Sequence, residues 1–506
     1  PPPCTEPSAR QRHGADYPRA MSHATHHSGP SRAVRSIAII GCLVILVALV
    51  GGLIGHHDGE HVKPELPGSW ALGAAPFAFL LLAIATFPLI PAIAGWWHSN
   101  VSRLAVAATC GVATLAWIAA TMGAGHAATL TGHAVLDEYI PFIVLLFSLY
   151  VISGGIAIRG NLPAHPGTNT VILAIGTVLA SAIGTTGASM VLIRFLLSVN
   201  KERHKVAHTA IFFIFLVSNC GGLLLPLGDP PLFLGYLKGV PFLWTLSLWQ
   251  EWATVNGILL VLYFLWDRHE WKAERRADIS RDEHARRRIS IDGRLNIVWL
   301  LLVVLVVATV DPSRPLPGTE WKPFPYLREL LMLGLCAMSM SFTKDAVRKA
   351  NEFDFGAIAE VAALFIGIFV TMQVPLMVLQ AKGAALGITT PMGYFWATGS
   401  LSAVLDNAPT YLVFLQTAVA TPIDGAAQVS VGDLGTVSEP LLSAVSLGAV
   451  FMGAMTYIGN GPNFMVKAIA EQRGVRMPSF FGYLGWSCLV LLPTLYLVSR
   501  LFVASP

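Results

Sequence analysis

Ser181-Ala-Ile-Gly-Thr-Thr-Gly-Ala-Ser189 lies in the middle of an apolar stretch, 169–198, and Ser402-Ala-Val-Leu-Asp-Asn-Ala-Pro-Thr410 holds the same place in a second, 390–420. A helix needs about twenty apolar residues to cross a hydrocarbon core about 30 Å thick. Each stretch is too long for one crossing and too short for two, and small, polar or Pro residues interrupt its centre. That pattern predicts a re-entrant helical hairpin, which enters the bilayer and returns to the same side. The two segments are offset by 221 residues (402 − 181). Further on, Pro226-Leu-Gly-Asp-Pro-Pro-Leu-Phe233 aligns with Tyr457-Ile-Gly-Asn-Gly-Pro-Asn-Phe464 at an offset of 231 (459 − 228). A longer loop after the second hairpin takes up the difference.

The composition around these segments is that of a membrane protein. The 506 residues are 54% hydrophobic and 12% charged, against about 25% charged in a soluble domain, with mean hydropathy +0.62. A net charge of +4 spread over this length gives no basic face for nucleic acid. Five of the six cysteines, Cys42, Cys110, Cys220, Cys336 and Cys488, lie in apolar runs, and no spacing resembles a metal or redox pair.

The fold expected is an all-α polytopic membrane protein of about eleven crossings plus the two hairpins. Crossings fall near 36–55, 74–94, 101–122, 139–158, 209–237, 244–266, 295–311, 325–342, 356–380, 441–471 and 480–503. Residues 1–35 read as a disordered tail, with Met21 a plausible start and Pro1–Ala20 then an artefact of start-site choice. The first helix and an outside loop occupy 36–69, a first repeat 70–266, a basic linker 267–294, and a second repeat 295–503. The linker, with Arg268, Lys272, Arg275, Arg276, Arg281, Arg286, Arg287, Arg288 and Arg294, belongs in the cytoplasm by the positive-inside rule. Counting outward places the N-terminus in the cytoplasm, with the loops that carry Lys201, Arg203 and Lys205, Lys344, Arg348 and Lys349, and Lys467, Arg473 and Arg476, and the C-terminus outside. The loops His56–Gly68, Gly125–Glu138 and Thr421–Glu439 fall outside and carry almost no Lys or Arg. Five crossings per repeat is an odd number, so the repeats are inverted.

Inverted repeats with interrupted helices are the layout of secondary transporters. Asn219-Cys-Gly-Gly222 with Pro226–Pro231 breaks the crossing at 209–237, and Gly459-Asn-Gly-Pro-Asn463 breaks that at 441–471. Freed N–H groups and carbonyls at such breaks bind ions. Charges at depth are costly and mark function, and Asp229 and Asp406 each sit at a break. Both are candidate Na⁺ ligands or proton carriers, and each is also a natural helix cap. Asn219, Asn407, Asn460, Asn463, Thr185, Thr186, Ser189, Ser402 and Thr410 could add neutral oxygens. Glu360, Glu251 and Arg194 read as interfacial or packing residues, His56, His57 and His61 as a solvated loop, and Trp96-Trp97 with Trp249 and Trp252 as interfacial anchors. No nucleophile–base pair or metal triad appears at depth, so an enzyme is not expected, and neither is a cofactor beyond transported Na⁺ and H⁺.

Over about residues 70–503 the chain resembles the ion-transporter superfamily. The motifs are Leu401–Thr410, Gly221-Gly…Pro226-Leu-Gly-Asp229 and Gly448–Asn463. These look most like a bacterial group described variously as NhaD-type sodium:proton antiporters or citrate transporters. The resemblance implies a bacterial inner-membrane protein, a scaffold for homodimer contact and a transport domain that moves as an elevator. Asn219 and Asp229 match polar positions in the antiporters' first broken helix, and Ser402 and Asn407 match their second hairpin. Where those antiporters carry an acidic pair near the first hairpin, this chain has Gly184-Thr185-Thr186, and its extra carboxylate, Asp406, lies in the other. The superfamily's dicarboxylate symporters have Ser-Asn-Thr at both tips, which neither tip here reproduces. Two functions follow: cation/proton antiport, with Na⁺ the first guess, or cation-coupled import of a citrate-like carboxylate. No Lys or Arg stands at either tip to hold a trianion unless a metal accompanies it.

Overall fold

The computed structural model describes residues 36, 43, 50 and 66–504, apart from 276–278, 281, 283–286, 312–314, 316–318, 383–384 and 386. The crossing expected at 36–55 and the histidines at 56, 57 and 61 thus lie outside the described residues, save for three isolated helical positions. Helices dominate: α1 (Trp70–Thr86), α2 (Asn100–Met122), α3 (Ala124–Ser153), α4 (Pro166–Ile183), α5 (Thr185–Val199), α6 (Ala207–Leu216), α7 (Pro230–Leu237) and α8 (Trp249–Lys272). They continue as α9 (Leu295–Thr309), α10 (Leu327–Phe342), α11 (Gly356–Thr371), α12 (Gln373–Lys382), α13 (Pro391–Val404), α14 (Asn407–Val419), α15 (Glu439–Met452), α16 (Gly461–Gln472) and α17 (Phe480–Val503). Seven described helices are long and apolar enough to cross a bilayer, or eight if one bent pair counts as a single span. Outward-facing Leu72, Phe79, Leu82, Leu301, Leu305 and Phe481 leave large apolar side chains exposed, a surface that only lipid can solvate at low cost. The protein is an integral membrane protein.

Three features differ from the sequence reading. The loop expected at Gly125–Glu138 is helical and continues into α3, with a π-helical stretch at His133–Tyr139. Its buried residues Ala127, Thr131, Ala134, Val135 and Glu138 recur at helical spacing, so one packed face outweighs the polar residues between. The crossing expected at 356–380 bends by 41° between α11 and α12. There Pro375 lacks the N–H that would bond back one turn, and Gln373 Nε2 reaches the carboxylate of Glu138 at 3.1 Å. The chain is also not purely helical. β1 (Ala157–Asn161) pairs antiparallel with β2 (Arg287–Asp292), in the register Ala157↔Asp292 and Ile158↔Ile291, so the end of the basic linker is a strand. A second ribbon joins β3 (Gln428–Ser430) to β4 (Thr436–Ser438).

The hydrophobic interior centres on α6. Residues 207–224 are 89% buried, against 28% for the outer helix α1. Phe212 and Phe215 on α6 pack against Tyr263 of α8 and Tyr483 of α17, respectively, and Phe213 beside them is fully buried. The chain thus breaks its most enclosed helix, where freed backbone groups cannot reach water.

Two ion pairs tie the outer helices to this interior. Arg103 on α2 meets Glu360 on α11 at 2.8 Å, making Glu360 a packing partner. Lys238, just after α7, pairs with buried Glu138 on α3, which His133 approaches at 3.5 Å. Removing one partner of a buried pair costs about 3–5 kcal/mol. Lys238→Met should therefore lower the thermal midpoint of purified protein by several degrees, and adding Glu138→Gln should restore most of it. An additive double mutant would show that the pair is not coupled.

Candidate ion-binding site

The site is assembled from four interruptions of helical structure. The first is Gly184 between α4 and α5, where φ is +82°, a conformation glycine adopts without the usual steric cost. The second runs from Asn219 to Asp229 between α6 and α7, through a 3₁₀ turn at Cys220–Leu224. Pro226, Pro230 and Pro231 remove backbone N–H groups there, which keeps the helix from closing. The third is Leu405–Asp406 between α13 and α14, and the fourth is Gly453–Asn460 between α15 and α16.

Backbone contacts lock these breaks together. Thr185 N–H donates to Gly228 O at 2.8 Å, so the first tip is bonded to the first break. A Cβ on Gly228 would lie 2.0 Å from Gly222 O, and one on Gly459 would lie 2.6 Å from Gly453 O. Both contacts recur at an offset of 231 residues (453 − 222 and 459 − 228). Ser181 Oγ likewise donates to Gly221 O at 2.5 Å, and Ser402 Oγ to Ala449 O at 2.7 Å.

Asp229 lies at the centre and is 1% exposed. Its Oδ1 accepts from Thr185 Oγ1 at 3.0 Å and Asn460 Nδ2 at 2.9 Å; its Oδ2 accepts from Asn407 Nδ2 at 2.7 Å. Asn460 Nδ2 also reaches Asn219 Oδ1 at 3.1 Å, and Asn219 Nδ2 donates to Asn463 Oδ1 at 2.6 Å. Asn463 Nδ2 in turn holds Gly453 O and Thr456 O at 2.8 and 2.9 Å. Six of the sequence-nominated residues, Asp229, Asn219, Asn407, Asn460, Asn463 and Thr185, thus form one hydrogen-bonded cluster drawn from all four breaks. Asp229 precedes α7 but makes no side-chain cap bond, so its carboxylate faces the cluster. Among the described residues no Lys, Arg or His pairs with it. Asn407 Oδ1 is buried without a partner, an acceptor beside a carboxylate that calls for a donor or a cation.

The other nominated residues stand apart. Asp406 Oδ1 accepts from Ala408 N–H at 3.0 Å, so this carboxylate caps α14. The next residue, Asn407, is the one that holds Asp229 Oδ2, which places Asp406 beside the cluster. Thr410 Oγ1 bonds back to Asp406 O at 2.9 Å. Ser189 Oγ meets Ser218 Oγ at 2.9 Å behind the cluster. Ser402 is spent on the Ala449 carbonyl, and Thr186 is half-buried. Among the described residues no group of three or more His, Cys, Asp or Glu could hold a metal, so any cation here relies on neutral oxygens beside one or two carboxylates.

Sequence reasoning missed Ser218, whose carbonyl accepts from Asn460 Nδ2 at 3.2 Å. Its place immediately before Asn219, at a foreseen break, was the available signal. Trp252 is more than an interfacial anchor, since its Nε1 donates to Gly221 O at 3.1 Å and satisfies a freed carbonyl. Trp97 is buried, whereas Trp96 and Trp249 are exposed. Arg194 pairs with Glu352 at 3.5 Å.

The two aspartates call for different tests. Asn caps a helix as well as Asp does, so Asp406→Asn removes charge and keeps the cap. A unit charge about 10 Å from a bound cation is worth roughly 1–2 kcal/mol at an effective dielectric constant of about 20. Asp406→Asn is therefore expected to raise the half-saturating cation concentration about tenfold with unchanged thermal stability. Asp406→Ala should in addition lose about 1 kcal/mol of stability.

A family model described as "Putative citrate transport" matches residues 65–503. No curated protein matches the chain.

Proposed function

Because the chain belongs to the family described as "Putative citrate transport", a family of membrane transporters, we propose that it is a secondary transporter whose coupling site is built on Asp229. Cation/proton antiport is the reading that the geometry supports best, with Na⁺ as the first cation to test. One observation carries it. A buried carboxylate at the meeting of four helix breaks is held by three neutral donors and, among the described residues, pairs with no cationic side chain. Leaving such a charge unbalanced costs several kcal/mol, so either a proton or a metal cation must accompany it. Competition of the two for one carboxylate, with Asn407 Oδ1 as a further oxygen, is the minimum chemistry of exchange.

The second reading, cation-coupled uptake of a citrate-like carboxylate, is favoured by the family's description. The site offers such an anion little by itself. Pro230 and Pro231 remove the first two N–H groups of α7, Ala408 N–H is taken by Asp406, and Thr185 N–H by Gly228. A trianion would face Asp229 and Asp406, so it would have to arrive with a metal that both carboxylates could share.

With either cargo, the proposed frame is two inverted repeats, 70–266 and 295–503, with the basic linker in the cytoplasm, the C-terminus outside, and a homodimer in a bacterial inner membrane. A domain carrying the four breaks would move as an elevator, and exchange would follow the NhaD-type pattern.

Everted membrane vesicles separate the readings. Antiport predicts that Na⁺ or Li⁺ dissipates an acid-inside pH gradient. Cation-dependent accumulation of radiolabelled citrate, with no pH response to Na⁺ or Li⁺ alone, would replace antiport by the second reading.

A further inference from the structure

A cavity of about 860 Å³ is lined by none of the residues of the Asp229 cluster, and two of the loops expected in the cytoplasm border it. Four segments enclose it: the loop between α5 and α6, the loop between α16 and α17, and the adjoining ends of α8 and α17. Its size is that of a small-molecule site, which typically spans about 300–1,000 Å³.

The wall is cationic. Lys201, Arg203, Lys205, Arg473 and Arg476 line it, against Glu270 as the lining carboxylate. Two of these cations are neutralised internally. Arg203 pairs with buried Asp267 at 2.6 Å, and Lys205 with Glu270 at 2.8 Å. Arg473 is held only loosely, 3.9 Å from exposed Glu352. Among the described residues Lys201 and Arg476 form no ion pair, and both are exposed. Two further carboxylates are near: Glu274 is turned to the backbone, accepting from the N–H groups of His204 and Lys205 at 3.0 and 3.3 Å, and Glu202 lines a separate small pocket with Asp282 rather than this cavity.

The scaffold beneath is a buried hydrogen-bonded network. Asp267 also receives His208 Nε2 at 2.8 Å and Asn169 Nδ2 at 3.1 Å, and Asn169 and Asn200 exchange amide hydrogen bonds at 2.9 Å. The positive excess therefore faces a preformed pocket.

Apolar groups decide which anion fits. Trp266 and Trp486 form part of the wall, their ring centroids 4.5 Å apart. Leu265 and Leu489, on the same two helices, are 55% and 66% exposed on the outer surface. Trp marks the level where hydrocarbon meets headgroups, and basic pockets between helices at that level suit anionic headgroups. A free anion would gain nothing from the two leucines, whereas acyl chains would cover them.

We propose that this cavity binds the phosphate headgroup of an anionic phospholipid, through Lys201, Arg473 and Arg476, with the acyl chains lying over Leu265 and Leu489. The site is independent of the cargo carried at Asp229.

Native mass spectrometry of the purified full-length protein tests this with phosphatidylglycerol, phosphatidylcholine, glycerol phosphate and citrate as probes. Phosphatidylglycerol should bind in preference to the other three. Lys201→Gln/Arg476→Gln should weaken it roughly 10- to 30-fold, at about fivefold per charge. Lys344→Gln/Lys349→Gln removes the same charge from another loop expected in the cytoplasm and should leave binding unchanged. Equal binding to the cavity double variant, equal loss in the control, or no preference over phosphatidylcholine would overturn the proposal. Glycerol phosphate or citrate binding as tightly as the lipid would also overturn it, making the cavity a vestibule for free anions.

Discussion

Asp229→Asn is expected to abolish cation-driven proton movement while leaving the protein folded. The substitution keeps the size of the side chain and an oxygen that can still accept from Thr185, Asn460 or Asn407. It removes the one charge that the cluster surrounds. The loss of one partner from a buried charge pair costs about 3–5 kcal/mol, and a bound cation takes the place of that partner here. Transport should fall by a factor of a few hundred or more, beyond the effect expected for Asp406→Asn. Size-exclusion profile and thermal midpoint should match those of the parent protein. An Asp229→Asn protein that exchanges ions at half the parent rate would remove Asp229 from the coupling site.

Gly228→Ala should be the most damaging single-methyl change among the glycines of the four breaks. The new Cβ would sit 2.0 Å from a backbone oxygen, that of Gly222, which has no flexible end to give way. Either the 3₁₀ turn at Cys220–Leu224 or the Thr185–Gly228 hydrogen bond must be lost, and Asp229 is the next residue. Overpacking in a core typically costs about 1–3 kcal/mol, and a clash with backbone beside a buried polar cluster belongs at or above the upper end. Low yield or a thermal midpoint well below the parent's is expected, with no transport from any protein that does fold. Gly459→Ala meets Gly453 O at 2.6 Å and should show the same defect in milder form. Normal stability and transport in Gly228→Ala would mean that the two breaks are not held as described.

Much of the site was legible because its residues are anomalous for lipid. Asp229, Asn407 and Asn460 stand out in apolar sequence, and each is flanked by Pro or Gly that stops a helix. The offsets between the two halves were equally visible, since identical glycine contacts require glycine in both. What the sequence could not reveal was the difference between the two aspartates. Both precede a helix, but Pro230 and Pro231 deny Asp229 nearby N–H groups to cap, whereas Ala408 offers one to Asp406. The helical stretch at 124–138 was hidden because Thr129, His133 and Asp137 face away from the packed side, and window averages do not separate faces. The pairing of β1 with β2 joins residues about 130 apart, from the end of α3 and from the linker, and no local pattern announces such a contact. The basic cavity was hidden for the same reason. Its lysines and arginines were read as topology signals, loop by loop, and only the fold brings 201–205 beside 473–476.

Proton release on cation binding tests the central claim most directly. Purified protein in weakly buffered detergent solution, titrated with NaCl against a choline chloride control, should release protons as Na⁺ binds. The release should shrink as pH rises and the site empties of protons, and Asp229→Asn should release none. Na⁺ binding without proton release, or with undiminished release from Asp229→Asn, would contradict a shared site for the two ions at Asp229.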